Sequence, residues 1–307
     1  MRVGLDVGGT KTDAVIIDDD VHILARTRLA TGWGVDAVGA TIARAVDLVC
    51  GEAGIPREDI RSVGVGMPGQ VAPGSTRVAH AVNLGVRELD VTRTLEPILG
   101  IPVRVENDVK AAALGAHALH GSGSGTMAYL NLGTGVAAGI VVEGQVWRGA
   151  GGSAGEVGHI SIDPAGPPCR CGQRGCIEAL AGGGAVAERW GRPGALPVRD
   201  VFDAADAGDA LAVALRDDLA RGVASAIRVL VLTADVDTVV IGGGLSALGD
   251  RLTTPVAAEL EAGAEASAFI RSLHLRERAT LLPAGSPAAA LGAALVGRTT
   301  EEVLAHG

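Results

Sequence analysis

The sequence predicts an α/β protein of two domains with duplicated topology and a cleft between them. A chain of 307 residues is long enough for two domains of ordinary size. Short β patterns alternate with longer helical patterns along the chain. The strand, glycine turn and strand of residues 5–17 return in residues 130–142, which indicates two copies of one unit. Because glycine turns are common, a chance similarity between two hairpins is the alternative explanation.

The composition excludes several classes of protein. Hydrophobic residues make up 48% of the chain, so it can bury a core and disorder is not expected. The formal net charge of −9 and the aromatic content of 2% disfavour a nucleic-acid partner. The first residues lack the regions of a secretory signal, and the uncharged stretch 121–142 contains repeated glycine and polar residues. We therefore expect a cytoplasmic protein with no nucleic-acid and no membrane partner.

The first half begins with a predicted antiparallel meander. Its β patterns are separated by a Gly-Gly turn and an aspartate turn, and they cover residues 3–7, 12–17 and 21–28. A helix is predicted for residues 35–50, where apolar residues recur at three- and four-residue spacing. Short strands at residues 62–66 and 103–105 each lead into a polar loop, and residues 107–119 are predicted to be helical.

The second half repeats the strand pattern and then adds a long irregular segment. Residues 147–176 are too rich in glycine and proline for regular structure, and such segments usually have a functional or metal-based reason. A helix is predicted to begin near Ile177, and a leucine-rich stripe over residues 211–230 predicts a long buried helix. The remaining predicted elements are a strand at 236–241, a glycine turn, a helix at 245–260, a short strand at 281–282 and a helix at 288–295.

The segment Asp6-Val7-Gly8-Gly9-Thr10-Lys11 carries groups that suit a nucleotide phosphate and its magnesium ion. It offers a carboxylate at a strand end, backbone amides that an anion can approach, a hydroxyl and an ammonium. A plain hairpin is the alternative, but the recurrence at Gly133-Thr134-Gly135 favours phosphate binding. A third glycine turn, Gly242-Gly243-Gly244, is predicted to join a strand to a helix N-terminus that could meet an anion.

The segment Glu106-Asn107-Asp108 lies between a predicted strand and a predicted helix. Asn107 or Asp108 would suffice as the N-cap of that helix. Alternatively, Asp108 accepts the proton of a substrate hydroxyl during phosphoryl transfer. The residues alone leave both hypotheses open.

One histidine and three cysteines in the irregular segment predict a structural zinc site. His159, Cys169, Cys171 and Cys176 match the number and type of ligands in a closed tetrahedral site. Reduced thiols or a strained disulfide are the alternatives.

Two glutamates, Glu156 and Glu178, flank this metal-ligand set in the sequence. Their carboxylates could accept hydrogen bonds from the hydroxyls of a substrate, although solvated surface glutamates are the alternative. The neighbouring glycines Gly155 and Gly158 indicate a close approach at this point.

Taken together, these motifs resemble the ROK family of sugar kinases and related repressors, within the actin, heat-shock ATPase and hexokinase superfamily. The resemblance runs from Asp6 to the final helix. Its marks are Asp6-Val7-Gly8-Gly9-Thr10-Lys11, Gly66-Met67-Pro68-Gly69, Glu106-Asn107-Asp108, Leu132-Gly133-Thr134-Gly135, Gly155-Glu156-Val157-Gly158-His159, Cys169-Arg170-Cys171-Gly172 and Gly175-Cys176-Ile177-Glu178.

The resemblance implies two actin-like (ribonuclease H-like) domains with ATP, Mg²⁺ and structural Zn²⁺ as cofactors. Residues 1–110 would form the first domain, to which a final helix of about residues 290–307 returns, and residues 111–289 the second. The implied sugar site consists of Gly69, Asn107, Asp108, Glu156, His159 and Glu178. The implied nucleotide site consists of Asp6, Gly9, Thr10, Lys11, Gly133, Thr134, Gly135, Gly243 and Gly244, with Asp6 organising magnesium.

The implied activity is ATP-dependent phosphorylation of a hexose at its 6-hydroxyl, with Asp108 as the general base. Glucose is favoured because Asn83-Leu84-Gly85 resembles a segment of the family's glucokinases, although the residues on either side depart from it. Kinases for fructose, mannose, an N-acetylated amino sugar or a cyclitol are alternatives, and polyphosphate is an alternative donor.

The resemblance also leaves other classes of protein open. A non-catalytic sugar sensor would bind sugar without consuming ATP, and an actin-like or chaperone ATPase would hydrolyse ATP without sugar. Family repressors carry a helix-turn-helix segment before the first phosphate motif, which here begins at Asp6, so the kinase branch is favoured. The family also implies a homo-oligomer, a dimer or a tetramer.

Overall fold

The described part of the chain forms two units. The structure is a computed structural model of the chain, and it describes residues 1–120 and 125–298. Internal contacts group residues 1–120, 139–154 and 287–298 into the first unit, and residues 125–138 and 155–286 into the second. Among these residues, no helix has both the length and the apolar character that crossing a membrane requires.

Both units combine strands and helices. The strands are β1 (Arg2–Val7), β2 (Lys11–Ile17), β3 (Ile23–Ala30), β4 (Ser62–Met67), β5 (Arg77–Ala81), β6 (Val86–Asp90), β7 (Val103–Asn107), β8 (Thr126–Leu132), β9 (Val136–Val142), β10 (Gln145–Trp147), β11 (Thr238–Gly242) and β12 (Ala279–Leu281). The helices are α1 (Val35–Ala53), α2 (Val91–Leu99), α3 (Asp108–His120), α4 (Ile177–Ala181), α5 (Gly183–Trp190), α6 (Pro197–Asp206), α7 (Ala210–Ala234), α8 (Asp250–Ala266), α9 (Ala268–Ser272) and α10 (Ala288–Val296). Short 3-10 segments lie at Arg57–Asp59, Val82–Leu84, Val157–His159 and Gly244–Leu248.

The first sheet is mixed, with the strand order β3-β2-β1-β4-β7. Strands β1, β2 and β3 pair antiparallel, while β1, β4 and β7 pair parallel. Nearly every residue of β1 and β4 is buried, as expected for central strands covered on both faces. Helix α1 buries Val38, Ile42 and Val46 in one core cluster with Leu5 of β1.

Helix α10 packs directly on the backbone of the first sheet. A Cβ on Gly4 of β1 or on Gly64 of β4 would overlap backbone atoms of α10. Helix α3 meets α10 at equally short range, because a Cβ on Gly115 or on Gly292 would overlap the backbone of the opposite helix. Glycine is therefore required wherever these elements touch.

The second sheet repeats the order of the first. Its strands follow the order β10-β9-β8-β11-β12, so the third, second, first, fourth and fifth strands of each set lie side by side. Strands β9 and β10 pair antiparallel, and β8, β11 and β12 pair parallel. The predicted α/β class and the duplicated topology are confirmed.

The long helix α7 follows its predicted apolar stripe for most of its length. Leu215, Leu219, Val223 and Ile227 are buried, whereas Leu211 near its first turn is 44% exposed. A stripe of this spacing points to one face of a helix, and that face supplies the core of the second unit.

The helix predicted for residues 245–260 is wrong at its start. After β11 the chain forms the 3-10 segment Gly244–Leu248, in which the N–H of Ser246 donates to the carbonyl of Gly243. Gly249 then adopts φ 58° and ψ −131°, and α8 begins only at Asp250. Backbone that glycine alone adopts easily interrupts the run, so no α-helix N-terminus directly follows the third glycine turn.

Several elements were not predicted from the sequence. The strands of the hairpin β5–β6 are short and mix exposed with buried positions, so they have no clear period. Helix α2 buries Val91, Leu95 and Leu99 at a regular spacing of four residues, a helical signal that was missed. Helix α2 begins where the side chain of Asp90 accepts a hydrogen bond from the N–H of Arg93. The expected domain boundary at residue 110 stays a prediction, and residues 299–307 of the expected final helix lie outside the described residues.

We predict that Gly115→Ala destabilises the protein by about 1–3 kcal/mol or more, because the added Cβ has to displace the backbone of α10. Urea unfolding of the wild type and the variant measures the difference.

The matched control is Gly51→Ala in α1, where a Cβ would meet no atom within 4 Å. This change should leave the free energy of unfolding equal or raise it by about 0.5–1 kcal/mol. Equal unfolding midpoints for Gly115→Ala and the wild type would contradict the packing described above.

Candidate active site

The first glycine turn joins β1 to β2. The N–H of Gly8 donates to the carbonyl of Lys11 at 2.9 Å and closes the turn. A Cβ on Gly9 would lie 2.8 Å from the carbonyl oxygen of Asn83, so glycine is needed there. Thr10 and Lys11 are exposed. The turn thus presents an exposed hydroxyl and an exposed ammonium beside glycine backbone, a set of groups able to bind phosphate.

Asp6 near the end of β1 carries a perturbed carboxyl group. Desolvation raises its pKa from 3.8 to about 7, and the negative charges of Asp108 and Asp13 add to this effect. Lys11 and Arg28 act in the opposite direction but do not outweigh it. A carboxyl that is desolvated and beside like charges favours its neutral form. A hard divalent cation such as Mg²⁺ would reverse this preference, so the residues present fit one.

Asp13 of β2 lies directly opposite Asp6 of β1 and is neutralised by two arginines. Arg28 approaches one of its carboxylate oxygens at 2.6 Å, and Arg26 approaches the other at 3.2 Å. Desolvation opposes them, yet the hydrogen bonds of Arg28 and Arg26 hold the pKa of Asp13 below its usual range. Sequence analysis missed this group. The available signal was an acidic residue inside one predicted strand, Asp13, followed by Arg26 and Arg28 on the next, which together predict ion pairs across the two strands.

The side chain of Asn107 joins three segments of the first unit. Its Oδ1 accepts hydrogen bonds from the N–H groups of Val109 and Lys110, both at 3.1 Å, and so caps α3. Its Nδ2 donates to the carbonyl of Gly69 at 3.0 Å. Asn107 therefore takes the capping role, and Asp108 is the first residue of the helix.

Gly69 packs against strand β5 of the β5–β6 hairpin. Its φ is 112°, and a Cβ there would lie 2.5 Å from the carbonyl oxygen of Ala79. The residue that presents its carbonyl to Asn107 therefore has to be glycine. The structure brings Gly69 and Asn107 into hydrogen-bond contact. The negative charge of Asp108 contributes to the raised pKa of Asp6.

The sequence singled out Glu106 as part of this segment but did not predict its partner, and the buried Lys110 was missed. Glu106 accepts a hydrogen bond from the N–H of Asn107 and pairs with Arg148 at 2.7 Å. The Nζ of Lys110 donates to the carbonyl of Gly152 at 2.7 Å. Glu106 precedes the Asn107-Asp108 pair directly and Lys110 follows it after one residue, yet Arg148 and Gly152 lie 42 positions away from them in sequence.

The second glycine turn, at Gly133 to Gly135, is held by the start of α5. The N–H of Gly133 donates to the carbonyl of Gly135 at 3.0 Å. Gly183 and Gly184 donate to the carbonyls of Gly133 and Thr134, each at 2.9 Å. Gly183 and Gly184 thus allow this close contact, because side chains there would crowd the carbonyl groups of the turn.

Glu178 of α4 faces the same turn, while Glu156 is exposed. The Oε2 of Glu178 accepts a hydrogen bond from the N–H of Val136 at 2.9 Å, and a Cβ on Gly135 would overlap that oxygen.

The close approach expected at Gly155 and Gly158 is present. A Cβ at either position would overlap a carbonyl oxygen of β9. Both glycines therefore allow contact with a strand, and Gly155 in addition adopts a φ of 93° that favours glycine.

The third glycine turn packs against the end of β8. Gly243 has φ 84°, and a Cβ there would lie 2.5 Å from the carbonyl oxygen of Leu132 and 2.7 Å from Oδ1 of Asn131. Gly244 is exposed and begins the 3-10 segment. The turn therefore lies beside the strand that carries the second glycine turn.

The four predicted metal ligands lie together. The ligand atoms of His159, Cys169, Cys171 and Cys176 are all within 4.8 Å of one another. The Sγ atoms of Cys171 and Cys176 are 3.7 Å apart, close to the edge of about 3.8 Å that a tetrahedron with Zn–S bonds of about 2.3 Å has. This separation exceeds the disulfide length of about 2.05 Å, and the cysteines are free. The donor set and its spacing fit zinc.

The thiol of Cys171 is prepared for metal binding by Gln173. The side-chain amide of Gln173 donates to Cys171 Sγ at 3.3 Å, and this bond, with hydrogen bonds from the backbone of Gln173 and from the neighbouring cysteines, lowers the pKa of the Cys171 thiol to about 6. The same amide donates to the carbonyl of His159 at 3.0 Å. One side chain thus orients two ligand residues, as groups behind metal ligands commonly do.

The ROK family model matches residues 2–298 of the chain. A glucokinase from Halalkalibacterium halodurans is 35% identical over 281 residues, which cover 85% of this chain and 85% of the relative. An N-acetylmannosamine kinase from Citrobacter koseri is 34% identical over 247 residues, which cover 79% of this chain and 83% of the relative.

Two solved structures share this fold and are also similar to this chain in sequence. The ROK hexokinase from Thermus thermophilus has a TM-score of 0.81 and 32% identity, with 100% of this chain and 99% of that chain covered. The ROK family glucokinase from Streptomyces griseus, in complex with glucose and AMPPNP, has a TM-score of 0.76 and 29% identity, with 97% and 99% covered.

We predict that Asp6→Asn stabilises the protein in the absence of ligands, by on the order of 4 kcal/mol at pH 8. The native pKa of about 7 exceeds the ordinary value of 3.8, so Asp6 costs stability as pH rises from about 4 to 7. The gain should therefore be smaller at pH 5 than at pH 8. Thermal unfolding at both pH values measures it.

The control for this prediction is Asp20→Asn, which changes an exposed aspartate of the turn after β2. Its effect should be small at both pH values. A stability gain for Asp6→Asn that does not grow with pH would contradict the electrostatic explanation.

Proposed function

The chain belongs to the ROK family, and on this premise we propose that it is an ATP-dependent sugar kinase with glucose as its preferred substrate. The observation that carries the proposal is the pair of carboxylates in the first unit. Asp108 begins the helix that Asn107 caps, and its charge acts on Asp6 at the end of β1. One carboxylate can take a proton from a substrate hydroxyl while the other serves a metal-bound phosphate.

In the proposed reaction, the 6-hydroxyl oxygen of the sugar attacks the γ-phosphorus of ATP. Asp108 accepts the hydroxyl proton as the new P–O bond forms and the bond to the β-phosphate oxygen breaks, which releases ADP. Asn107 positions Asp108 by capping α3 and by binding Gly69. Such transfers depend chiefly on positioning and on stabilisation of phosphate charge.

We assign the nucleotide to the glycine turns. Asp6 would hold the magnesium ion, which when bound neutralises phosphate charge. In the first unit, Gly9, Thr10 and Lys11 provide amide, hydroxyl and ammonium groups for phosphate. The proposed nucleotide residues of the second unit are Gly133, Thr134, Gly135, Gly243 and Gly244.

We assign the sugar hydroxyls to Gly69, Asn107, Asp108, Glu156, His159 and Glu178. Carboxylates accept hydrogen bonds from hydroxyl groups, and aromatic residues are scarce in this chain, at 2%. Hydrogen bonding rather than ring stacking therefore supplies the recognition.

N-acetylmannosamine is the second candidate substrate, because the Citrobacter koseri kinase is nearly as similar to this chain as the Halalkalibacterium halodurans glucokinase, at 34% against 35% identity. Glucose takes precedence because of the glucokinase-like segment Asn83-Leu84-Gly85, whose Asn83 lies against Gly9 of the first glycine turn.

We further propose that zinc at His159, Cys169, Cys171 and Cys176 is structural. All four positions of a tetrahedral site are filled by protein ligands, which leaves no position for a reactive water. The loop between the ligands has few other supports besides short backbone ladders, such as that of Cys169 with Gln173.

We predict about one zinc per chain, measured by elemental analysis of the purified protein. Cys176→Ser should lose the metal and unfold at lower temperature. Cys50→Ala is the control, since Cys50 lies in the core of the first unit and should leave the zinc content unchanged. Wild-type protein that contains no zinc and keeps its full stability would overturn the assignment.

We predict that ADP release by the wild type depends on an added sugar, with the highest kcat/KM for glucose. The panel comprises glucose, mannose, fructose, N-acetylmannosamine and a cyclitol, with ATP and polyphosphate compared as donors. If no sugar stimulated ADP release, the kinase proposal would be wrong. If kcat/KM were higher for N-acetylmannosamine than for glucose, N-acetylmannosamine would be the preferred substrate.

We predict that Asp108→Asn lowers kcat by about 10²–10⁴-fold, the usual contribution of a general base. Asn107 caps the helix, so the variant should keep its fold and its unfolding temperature within a few degrees. Steady-state ADP release with the best sugar measures kcat. Turnover close to that of the wild type would show that Asp108 is not the base.

A further inference from the structure

Two buried charged side chains, Glu106 and Lys110, hold one loop of the first unit. Their exposed fractions are 2% and 4%. The loop consists of residues 148–154 and is closed by a hydrogen bond from the N–H of Ala154 to the carbonyl of Arg148, at 3.3 Å. Arg148 pairs with Glu106 at 2.7 Å, and Lys110 donates to Gly152 at 2.7 Å. The 148–154 loop is therefore attached at its first residue and at Gly152 to the segment that contains the proposed base.

Packing alone does not explain why the buried residue 110 is a charged lysine. Burying an ammonium group is costly, and a methionine would fill a similar volume without that cost. What the ammonium adds is a directional hydrogen bond to the carbonyl of Gly152. Gly152 has φ 83°, and a Cβ there would lie 3.2 Å from the carbonyl oxygen of Val71, so the carbonyl bound by Lys110 belongs to a tightly packed residue.

The two attachments are symmetric about Asp108 in sequence. Glu106 precedes it by two residues at the end of β7, and Lys110 follows it by two residues in the first turn of α3. Two attachments to one loop, on either side of Asp108, limit movement of the residue between them. Misplacement of a reacting group by about 1 Å can cost about 10²-fold in rate.

We propose that Lys110 and Glu106 are positioning residues, which hold Asp108 in its reactive place by fixing the first turn of α3 to the 148–154 loop. The proposal rests on the sugar kinase activity proposed above. Neither residue needs to touch the substrate. Their removal should therefore lower kcat while sugar affinity and overall folding change little.

The test compares Lys110→Met, Lys110→Gln, Glu106→Gln and the double variant Lys110→Met/Glu106→Gln with the wild type. Lys110→Gln retains an N–H donor for Gly152 and serves as the conservative variant. The matched control is Arg104→Met, which removes an exposed charge from the same strand, β7. Each protein is assayed for kcat by sugar-dependent ADP release, for the Kd of glucose by calorimetry and for thermal unfolding.

Lys110→Met should lower kcat by about 10–100-fold, with less than a threefold change in the Kd of glucose. Lys110→Gln should retain more turnover than Lys110→Met, and Arg104→Met should match the wild type. The double variant should lose less than the product of the two single losses, because both act on one turn.

Failure of this inference differs from failure of the proposed function. Sugar-independent ADP release, or none, by the wild type contradicts the kinase activity itself. An active wild type with full kcat in Lys110→Met and Glu106→Gln overturns the positioning role alone. So does a loss confined to unfolding temperature, and if Lys110→Met does not fold, the same comparison is made with Lys110→Gln and Glu106→Gln.

Discussion

Neither β1 nor β4 could contact α10 at its observed distance if Gly4 and Gly64 carried side chains. Helices α3 and α10 meet through Gly115 and Gly292 for the same reason. Contact between backbones leaves no side chain that could change rotamer to relieve a clash, so the first unit depends on these positions. The second unit contains further contacts of this kind at its glycine turns. The 46 glycines of the chain thus serve close packing as well as turns.

Close packing also places charged groups where water is scarce. The carboxyl of Asp6 is desolvated and feels the charge of Asp108, which raises its pKa to about 7. Such an arrangement costs stability in the protein without ligands and becomes favourable once a cation or a proton is present. Glu106 and Lys110 are handled differently, since each has a protein partner at 2.7 Å. The first unit therefore contains buried charges that protein partners offset, Glu106 and Lys110, and a desolvated carboxyl, Asp6, whose charged form its acidic neighbours disfavour.

Much of the fold follows from local pattern, and the exceptions have physical causes. The periodicity of α1 and α7 predicted both helices, and the repeated strand-turn-strand pattern predicted the matching sheets. The hairpin β5–β6 was missed because short strands at a surface mix exposed and buried residues. The helix after the third glycine turn began later than predicted, because residues 244–249 adopt a 3-10 segment and a glycine-specific conformation. Pairing between two strands forms the hairpin, whereas local hydrogen bonds, such as that from the N–H of Gly249 to the carbonyl of Ser246, hold residues 244–249.

The sequence by itself determined the family resemblance, the two related halves and the set of predicted metal ligands. Each of these depends on short motifs whose residues lie close together in the chain. The tertiary structure decided which of these groups are neighbours and what state they are in. It placed Asn107 between α3 and Gly69, and it gave Asp6 its raised pKa. It also paired Glu106 with Arg148, 42 positions away. Such pairings depend on how strands and helices pack, because burial and charge act through space rather than along the chain.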